Sequence, residues 1–330
     1  MSYQCPMLVF SAQQEHFIGE KLAVMYQRTW PAYHRWLNRA PKQISAELGR
    51  EKLQHYMPEI IPAYDSLCQA FGADKKTCAF LSLYNPPIFR TGCSQAVKLS
   101  EPVELVRNYD FPATLSDRLL LKTNWNGTRV IAMTDCLWGA LDGMNEHGLA
   151  VSLAYGGRSN HGDGFAITLV LRYILEFCRT SAAAVAILRN VPVHMAYNVT
   201  LVDKNGESKT VVICPGQEIK VTSFAFATNH QNDAPIENLE AIADSYLREQ
   251  FLAARLADVQ RHQQSLVNLF LNQPLLRKSS EWQGWGTLYT ARYLPLSSEV
   301  ELHWPNGQVL KQSFDNFVEG NITITSPAFN

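Results

Sequence analysis

The sequence predicts an α+β protein: two antiparallel sheets face to face, helices on their outer surfaces, four layers in all, preceded by a helical N-terminal segment. Three observations carry that expectation. Strand-like stretches are joined by short turns of hairpin type, which makes the sheets antiparallel. Two long helical stretches, 165–189 and 238–271, fall where they must cover sheet faces. At Cys93 the texture changes from helical to extended, which divides the chain into 1–92 and 93–330.

Before that boundary, Gln14 to Trp30 places Phe17, Leu22, Val24 and Met25 among charges, and Tyr33, Trp36 and Leu37 continue the stripe to the Ala40-Pro41 break. Ser45–Tyr56 and Ile60–Phe71 read as further helices. Pro86-Pro87 then enforces an extended path into Arg90-Thr91-Gly92-Cys93-Ser94. Beyond the boundary, Val103–Val106 and Leu119–Thr123 are extended, and Trp125-Asn126-Gly127 turns the chain into Arg129–Met133. Asp142–Gly148 reads as a glycine-bounded turn entering the strand Leu149–Tyr155. Strands follow at 197–203 and 208–214 around Asp203–Gly206, near 219–227, and over Thr287–Leu310 with a turn at Pro305–Gly307. Whether the first ninety residues pack on this body or stand apart is open at this level.

With 29 basic and 30 acidic residues the net charge is −1, so no basic excess exists to neutralise phosphates and no nucleic-acid partner is expected. The first residues lack a basic region and a long apolar run, so no secretory signal is expected. The most apolar stretch, Phe165–Leu188, is interrupted by Arg172, Glu176 and Arg179 and reads as a core helix, with no membrane partner. Seven cysteines, odd in number and without a CxxC pair, suit neither a zinc site nor a disulfide framework. Reduced thiols in a cytoplasmic protein are the simplest account. Walker A, HExxH, GxSxG and Rossmann motifs are absent, and the nine histidines are scattered singly.

Cys93 stands apart from the other cysteines, which read as small buried hydrophobes. It follows Gly92, which tolerates strained backbone, at the switch to β texture. A strand that begins at a Gly-Cys step suits a nucleophile released by self-cleavage. Once the Gly92–Cys93 bond is cut, Cys93 gains an α-amine with an ordinary pKa of about 8. That amine can serve as base for its own thiol, so no histidine partner is needed.

Thr91-Gly-Cys-Ser94, Arg107-Asn-Tyr-Asp110 and Gly143-Met-Asn-Glu-His-Gly-Leu149 follow the order and spacing of the cysteine Ntn hydrolases. Within them the chain resembles the acyl-coenzyme A:6-aminopenicillanate acyltransferase family (peptidase family C45), related to choloylglycine hydrolases and penicillin V acylases. A helical segment before the cysteine is a mark of the acyltransferase-type precursors. The resemblance implies Cys93 as nucleophile, Gly92-Cys93 as the cleavage site, Asp110 orienting the α-amine and Arg107 beside the thiolate. Asn229, in Ala227-Thr-Asn-His230, would supply a side-chain donor to the oxyanion. Tyr155 stands where penicillin V acylases use a backbone N–H, and reads equally as a core aromatic. Asn145 and Gly148 are expected to shape a turn. Choloylglycine hydrolases carry an arginine in a Ser-Arg step on a late strand, whereas the strand here reads Gly286-Thr-Leu-Tyr-Thr-Ala-Arg-Tyr293. Arg292 is out of register and is left off the site.

The expected function is an autoprocessed amidohydrolase or acyltransferase acting on the amide or acyl thioester of a small molecule. No cofactor is implied; for transfer, acyl-coenzyme A would be a cosubstrate. The cleaved pieces would remain associated. The alternative is a non-catalytic binding or scaffolding protein with an unprocessed chain, in which Trp282, Trp285 and Trp304 serve a partner surface rather than the core.

Overall fold

The computed structural model describes residues 7–40, 44–231, 244–261, 264–278 and 285–325. The segment before Cys93 is not wholly helical, because it opens with a strand, β1 (Met7–Gln14). Leu8, Phe10 and Ala12 alternate inward along it, a period of two that only a strand can bury on one face. Four helices follow: α1 (Glu20–Leu37), α2 (Ala46–Tyr56), α3 (Ile61–Ala70) and α4 (Lys75–Leu81). Ser45 caps α2 by accepting the Leu48 amide, and Asp74 caps α4 by accepting those of Lys76 and Thr77. The Asp74 cap starts a short helix between Phe71 and Pro86 that sequence reasoning did not anticipate.

From the boundary onward come β2 (Gly92–Lys98), β3 (Glu104–Pro112), β4 (Leu119–Thr123), β5 (Val130–Asp135), β6 (Gly139–Asn145) and β7 (Ala150–Tyr155). The expected turn at Asp142–Gly148 is in part strand: β6 runs to Asn145, and only Asn145–Gly148 turns. Helices α5 (Ile167–Phe177) and α6 (Ser181–Asn190) divide the first long helical stretch. Next are β8 (Tyr197–Val202), β9 (Ser208–Ile213), β10 (Lys220–Thr222) and β11 (Phe226–Ala227). The second stretch contains α7 (Ser245–Arg261) and α8 (Val267–Phe270); its expected start at 238 lies outside the described residues. The chain ends with β12 (Trp285–Leu294), β13 (Glu299–His303), β14 (Val309–Ser313) and β15 (Gly320–Thr325).

These strands build two sheets. One has six strands in the order β11-β2-β3-β12-β13-β14, and the other nine in the order β10-β9-β8-β7-β6-β5-β4-β1-β15. All pairings are antiparallel except β1 beside β4, where Ser11 faces Leu119 in parallel register. Leu105, Tyr109, Ile131, Met133, Tyr289 and Val300 fill the space between the sheets. Helices α7 and α8 cover the six-stranded sheet through Leu252, Leu256 and Phe270 packed on Ala96 and Val106. Helices α5 and α6 cover the nine-stranded sheet, which completes four layers.

The first ninety residues pack on the body. Helices α1–α4 share one core with α5, α6 and the outer face of the large sheet, and Trp138, fully buried there, donates from Nε1 to the Leu81 carbonyl at 3.1 Å. Trp304 is also core, with Nε1 donating to the Leu288 carbonyl, so it offers no partner surface. Trp282 and the Trp285 side chain lie outside the described residues. Among the described residues no helix is long and apolar enough to cross a membrane.

His194 gives this packing a pH dependence. It is 2% exposed, stacks obliquely on Phe89 from the segment before Cys93, and shares Nδ1 with the Phe165 carbonyl at 3.1 Å. Burial lowers its pKa from 6.5 to about 4. The folded protein therefore holds it neutral while the unfolded chain binds a proton, so stability declines as pH falls through that window. Urea unfolding across it should reveal a slope of up to about 1.4 kcal/mol per pH unit from this residue, which His194→Gln removes.

Candidate active site

Cys93 is the second residue of β2, faces the space between the sheets and is fully buried. Its position fixes its neighbours by register. Gly92 pairs with Asp110, Cys93 with Tyr109 and Gln95 with Arg107, so Arg107 lies diagonally from the cysteine on the same face. Arg107 Nη2 donates to Cys93 Sγ at 3.1 Å. On the other side β11 pairs Ala227 with Gln95, and its continuation carries Asn229 alongside Cys93. The Cys93 amide donates to Asn229 Oδ1 at 2.7 Å. Asn229 Nδ2 donates to the carbonyls of Thr91 and Tyr155, each at 3.1 Å.

Arg107 is held from both sheets. Nε donates to the Leu153 carbonyl on β7 at 2.9 Å, and Nη1 pairs with Asp142 on β6. Asp142 in turn accepts from the hydroxyls of Tyr289, at 2.8 Å, and Tyr293. A bulge in β12 between Thr287 and Tyr289 changes its register against β3, placing Thr287 opposite Asp110 and Tyr289 opposite Tyr109. Thr287 Oγ1 donates to Asp110 Oδ1 at 2.7 Å, while the buried Oδ2 of Asp110 has no partner among the described residues.

The electrostatics follow from burial. Desolvation pushes the Cys93 thiol above its ordinary range; Arg107 pulls it down and Asp110 pushes it up. Desolvation also raises Asp110, with Arg248 and Arg277 acting against it.

The structure thus brings Cys93, Arg107, Asp110, Tyr155 and Asn229 together. Tyr155 meets Asn229 through its carbonyl, and its hydroxyl donates to the Arg158 carbonyl at 2.5 Å. Asn145 is a turn residue: Oδ1 accepts the amides of His147 and Leu149, and Nδ2 ties the turn to the carbonyls of Leu175 and Cys178. Gly148 has φ +79, and a Cβ there would meet Lys204 and the Pro295 carbonyl at 2.9 Å. Arg292 bonds Glu104 and Glu301 instead of the site. Sequence reasoning missed Asp142, Thr287, Tyr289, Tyr293 and Arg248. Asp142 sits beside the quoted Gly143–Leu149 run, and Thr287, Tyr289 and Tyr293 lie within the quoted Gly286–Tyr293 strand, which were their only local signals; Arg248 has none.

A four-layer sandwich with a cysteine at the head of an inner strand defines a protein of the Ntn-hydrolase class. The chain belongs to the acyl-coenzyme A:6-aminopenicillanic acid acyl-transferase family, whose profile matches residues 100–308. That span takes in Arg107, Asp110, Tyr155 and Asn229 and begins after Cys93. The protein is accordingly an enzyme of acyl transfer or amide hydrolysis. It is similar to the solved structure of penicillin V acylase from Agrobacterium tumefaciens, at 15% identity over 68% of this chain and 86% of that one, with TM-score 0.43. A variant of conjugated bile acid hydrolase from Clostridium perfringens is similar at 12% identity over 72% and 99%, TM-score 0.44. An N-acylethanolamine-hydrolyzing acid amidase ortholog from Caenorhabditis elegans is similar at 15% identity over 70% and 100%, TM-score 0.45. No curated protein sequence matches the chain.

The Arg107–Asp142 pair is fully buried, so neutralising one partner leaves the other charge uncompensated. Asp142→Asn should cost about 3–5 kcal/mol in urea unfolding. The exposed Arg50–Asp65 pair supplies the control: Asp65→Asn should cost under about 1 kcal/mol.

Proposed function

We propose that the protein is an autoprocessed N-terminal-cysteine amidohydrolase or acyltransferase that works through an acyl-enzyme on Cys93. The observation that carries this reading is the thiol's setting at the start of β2, with Arg107 on Sγ at 3.1 Å and Asn229 on its amide at 2.7 Å.

In maturation, Sγ attacks the Gly92 carbonyl carbon, the Gly92–Cys93 C–N bond breaks, and the thiol proton passes to the departing Cys93 nitrogen. Water then hydrolyses the Gly92–Sγ thioester, leaving a Gly92 carboxylate and regenerating the thiol. On this reading Asp110, which stands opposite Gly92 and whose Oδ2 has no partner among the described residues, accepts from the new α-amine. In the intact chain the Thr91 carbonyl holds Asn229 Nδ2. Departure of Thr91 and Gly92 frees that donor for the oxyanion of a substrate carbonyl, and a backbone N–H at Tyr155 would be the second.

The amine then takes the thiol proton as Sγ attacks an amide or acyl-thioester carbonyl, and the acyl group passes to water or an amine. We assign a small-molecule acyl substrate, with acyl-coenzyme A as donor if transfer is the task and no resident cofactor. The pieces 1–92 and 93–330 stay joined on this reading, because β1 is a strand of the large sheet and α1–α4 share its outer core. Cys68, Cys78, Cys136, Cys178 and Cys214 are free thiols, which supports a cytoplasmic setting.

Denaturing intact-mass spectrometry tests the proposal. Wild type should split between Gly92 and Cys93, while Cys93→Ala stays at 37.2 kDa. A wild-type chain that remains whole under conditions where it is folded overturns the reading. In matured protein Asn229→Ala should lower turnover by about 10²–10³ for loss of one oxyanion donor.

A further inference from the structure

Helix α7 brings to Cys93 a residue that none of the motifs contains. Arg248, in the first turn, is fully buried, and its guanidinium spreads over the cysteine's own backbone. Nη1 donates to the Cys93 carbonyl at 2.6 Å and to Ser94 Oγ at 2.9 Å. Nη2 donates at 3.1 Å to Asn229 Oδ1, the atom that also accepts the Cys93 amide. Nε donates to Asp244 Oδ1 at 3.0 Å, which fixes the orientation of the fork. One side chain therefore grips both backbone groups of Cys93, the carbonyl directly and the amide by way of Asn229.

Cleavage would convert Cys93 from a residue within a continuous chain into a terminus, and termini fray unless they are tied down. Resting on the reading of Cys93 as a self-released nucleophile, we infer that Arg248 is the positioning residue of that terminus. It anchors Cys93 in register before and after cleavage, and its permanent charge keeps the liberated α-amine unprotonated. The first role needs a planar fork: a lysine ammonium is a point charge that does not span the Cys93 carbonyl, Ser94, Asn229 and Asp244 together. The second role needs only the charge, since a neighbouring cation disfavours an ammonium and lowers the amine pKa.

The other charges around this point come from every element packed there. Arg107 and Asp110 stand on β3, Asp244 precedes α7, Arg277 precedes β12, and His230 pairs with Glu249 of α7. Asp110 favours the ammonium; Arg248, the foremost charge lowering the Asp110 pKa, keeps that carboxyl ionised and at the same time repels an ammonium directly. Removing Arg248 lifts that direct repulsion, which moves the amine pKa upward.

Selective ¹⁵N-cysteine labelling of the full chain reads both roles on one nucleus. On cleavage the Cys93 amide signal is replaced by an amine signal, whose shift then titrates with pH. Arg248→Gln should slow maturation at least about tenfold, from loss of hydrogen bonds to a charged group. It should also raise the midpoint of the amine by roughly one pH unit. Arg248→Lys should mature slowly as well but titrate as wild type does. An Arg248→Gln chain that matures at the wild-type rate with an unmoved midpoint overturns the inference. So does an Arg248→Lys midpoint that moves as far as that of Arg248→Gln. If Arg248→Gln fails to fold, Arg248→Lys decides, and maturation at the wild-type rate overturns the anchoring role. A wild-type chain that never acquires the amine signal refutes the reading of Cys93 instead, whatever the Arg248 variants do.

Discussion

A guanidinium placed between two sheets is tolerated only if its charge is met on the spot, because desolvating an ion costs several kcal/mol. Arg107 meets that condition by drawing on both sheets: its own strand β3 from one, the Leu153 carbonyl and Asp142 from the other. Asp142 is itself held by two tyrosine hydroxyls of β12. The bulge at Leu288 lets β12 deliver Tyr289 to the interior while Thr287 still reaches Asp110. The relative placement of the sheets, the irregularity of one strand and the remaining arm of Arg107 on the thiol belong to one arrangement.

That arrangement explains the state of the thiol. A fully buried cysteine is pushed toward its neutral form, and the arginine is the main force against it. The neighbouring carboxyl, also buried, is raised for the same reason, while two arginines from outside the sheet oppose the shift. Charge around Cys93 is therefore supplied from two directions: from within the sandwich by Arg107, and from the α7 layer by Arg248. Asn229 lies between them, its carbonyl oxygen shared by the Cys93 amide and Arg248.

The segment before Cys93 is bound into the same body. Its strand β1 lies between β4 and β15, and its helices complete the outer layer beside α5. Sequence periodicity revealed the amphipathic helices, since their apolar stripes face one continuous core. It did not reveal β1 as a strand: eight residues with three inward positions are a weak signal, and the partner strand β15 lies some three hundred residues away. The same limit applies to β6, whose glycines suggested a turn. Gly143 is instead a place of close packing, where a Cβ would lie 2.6 Å from that of Ala132.

Local order in the chain was enough to determine the class of fold and the start of extended structure at Gly92, and the family resemblance of its motifs pointed to Arg107, Asp110 and Asn229 as candidates. Arg107 and Asp110 lie in a short motif on β3 and Asn229 just beyond β11, where alternation and turns are written in adjacent positions. Tertiary structure alone decided which groups complete the site. Asp142, Thr287, Tyr289 and Arg248 reach it by strand register, a bulge and a helix laid across the sheet, from positions as much as 196 residues beyond Cys93. The charge on the thiol depends on burial and on partners distant in sequence. No local pattern encodes either quantity, because both arise only when the two sheets and the α7 layer close around the cysteine.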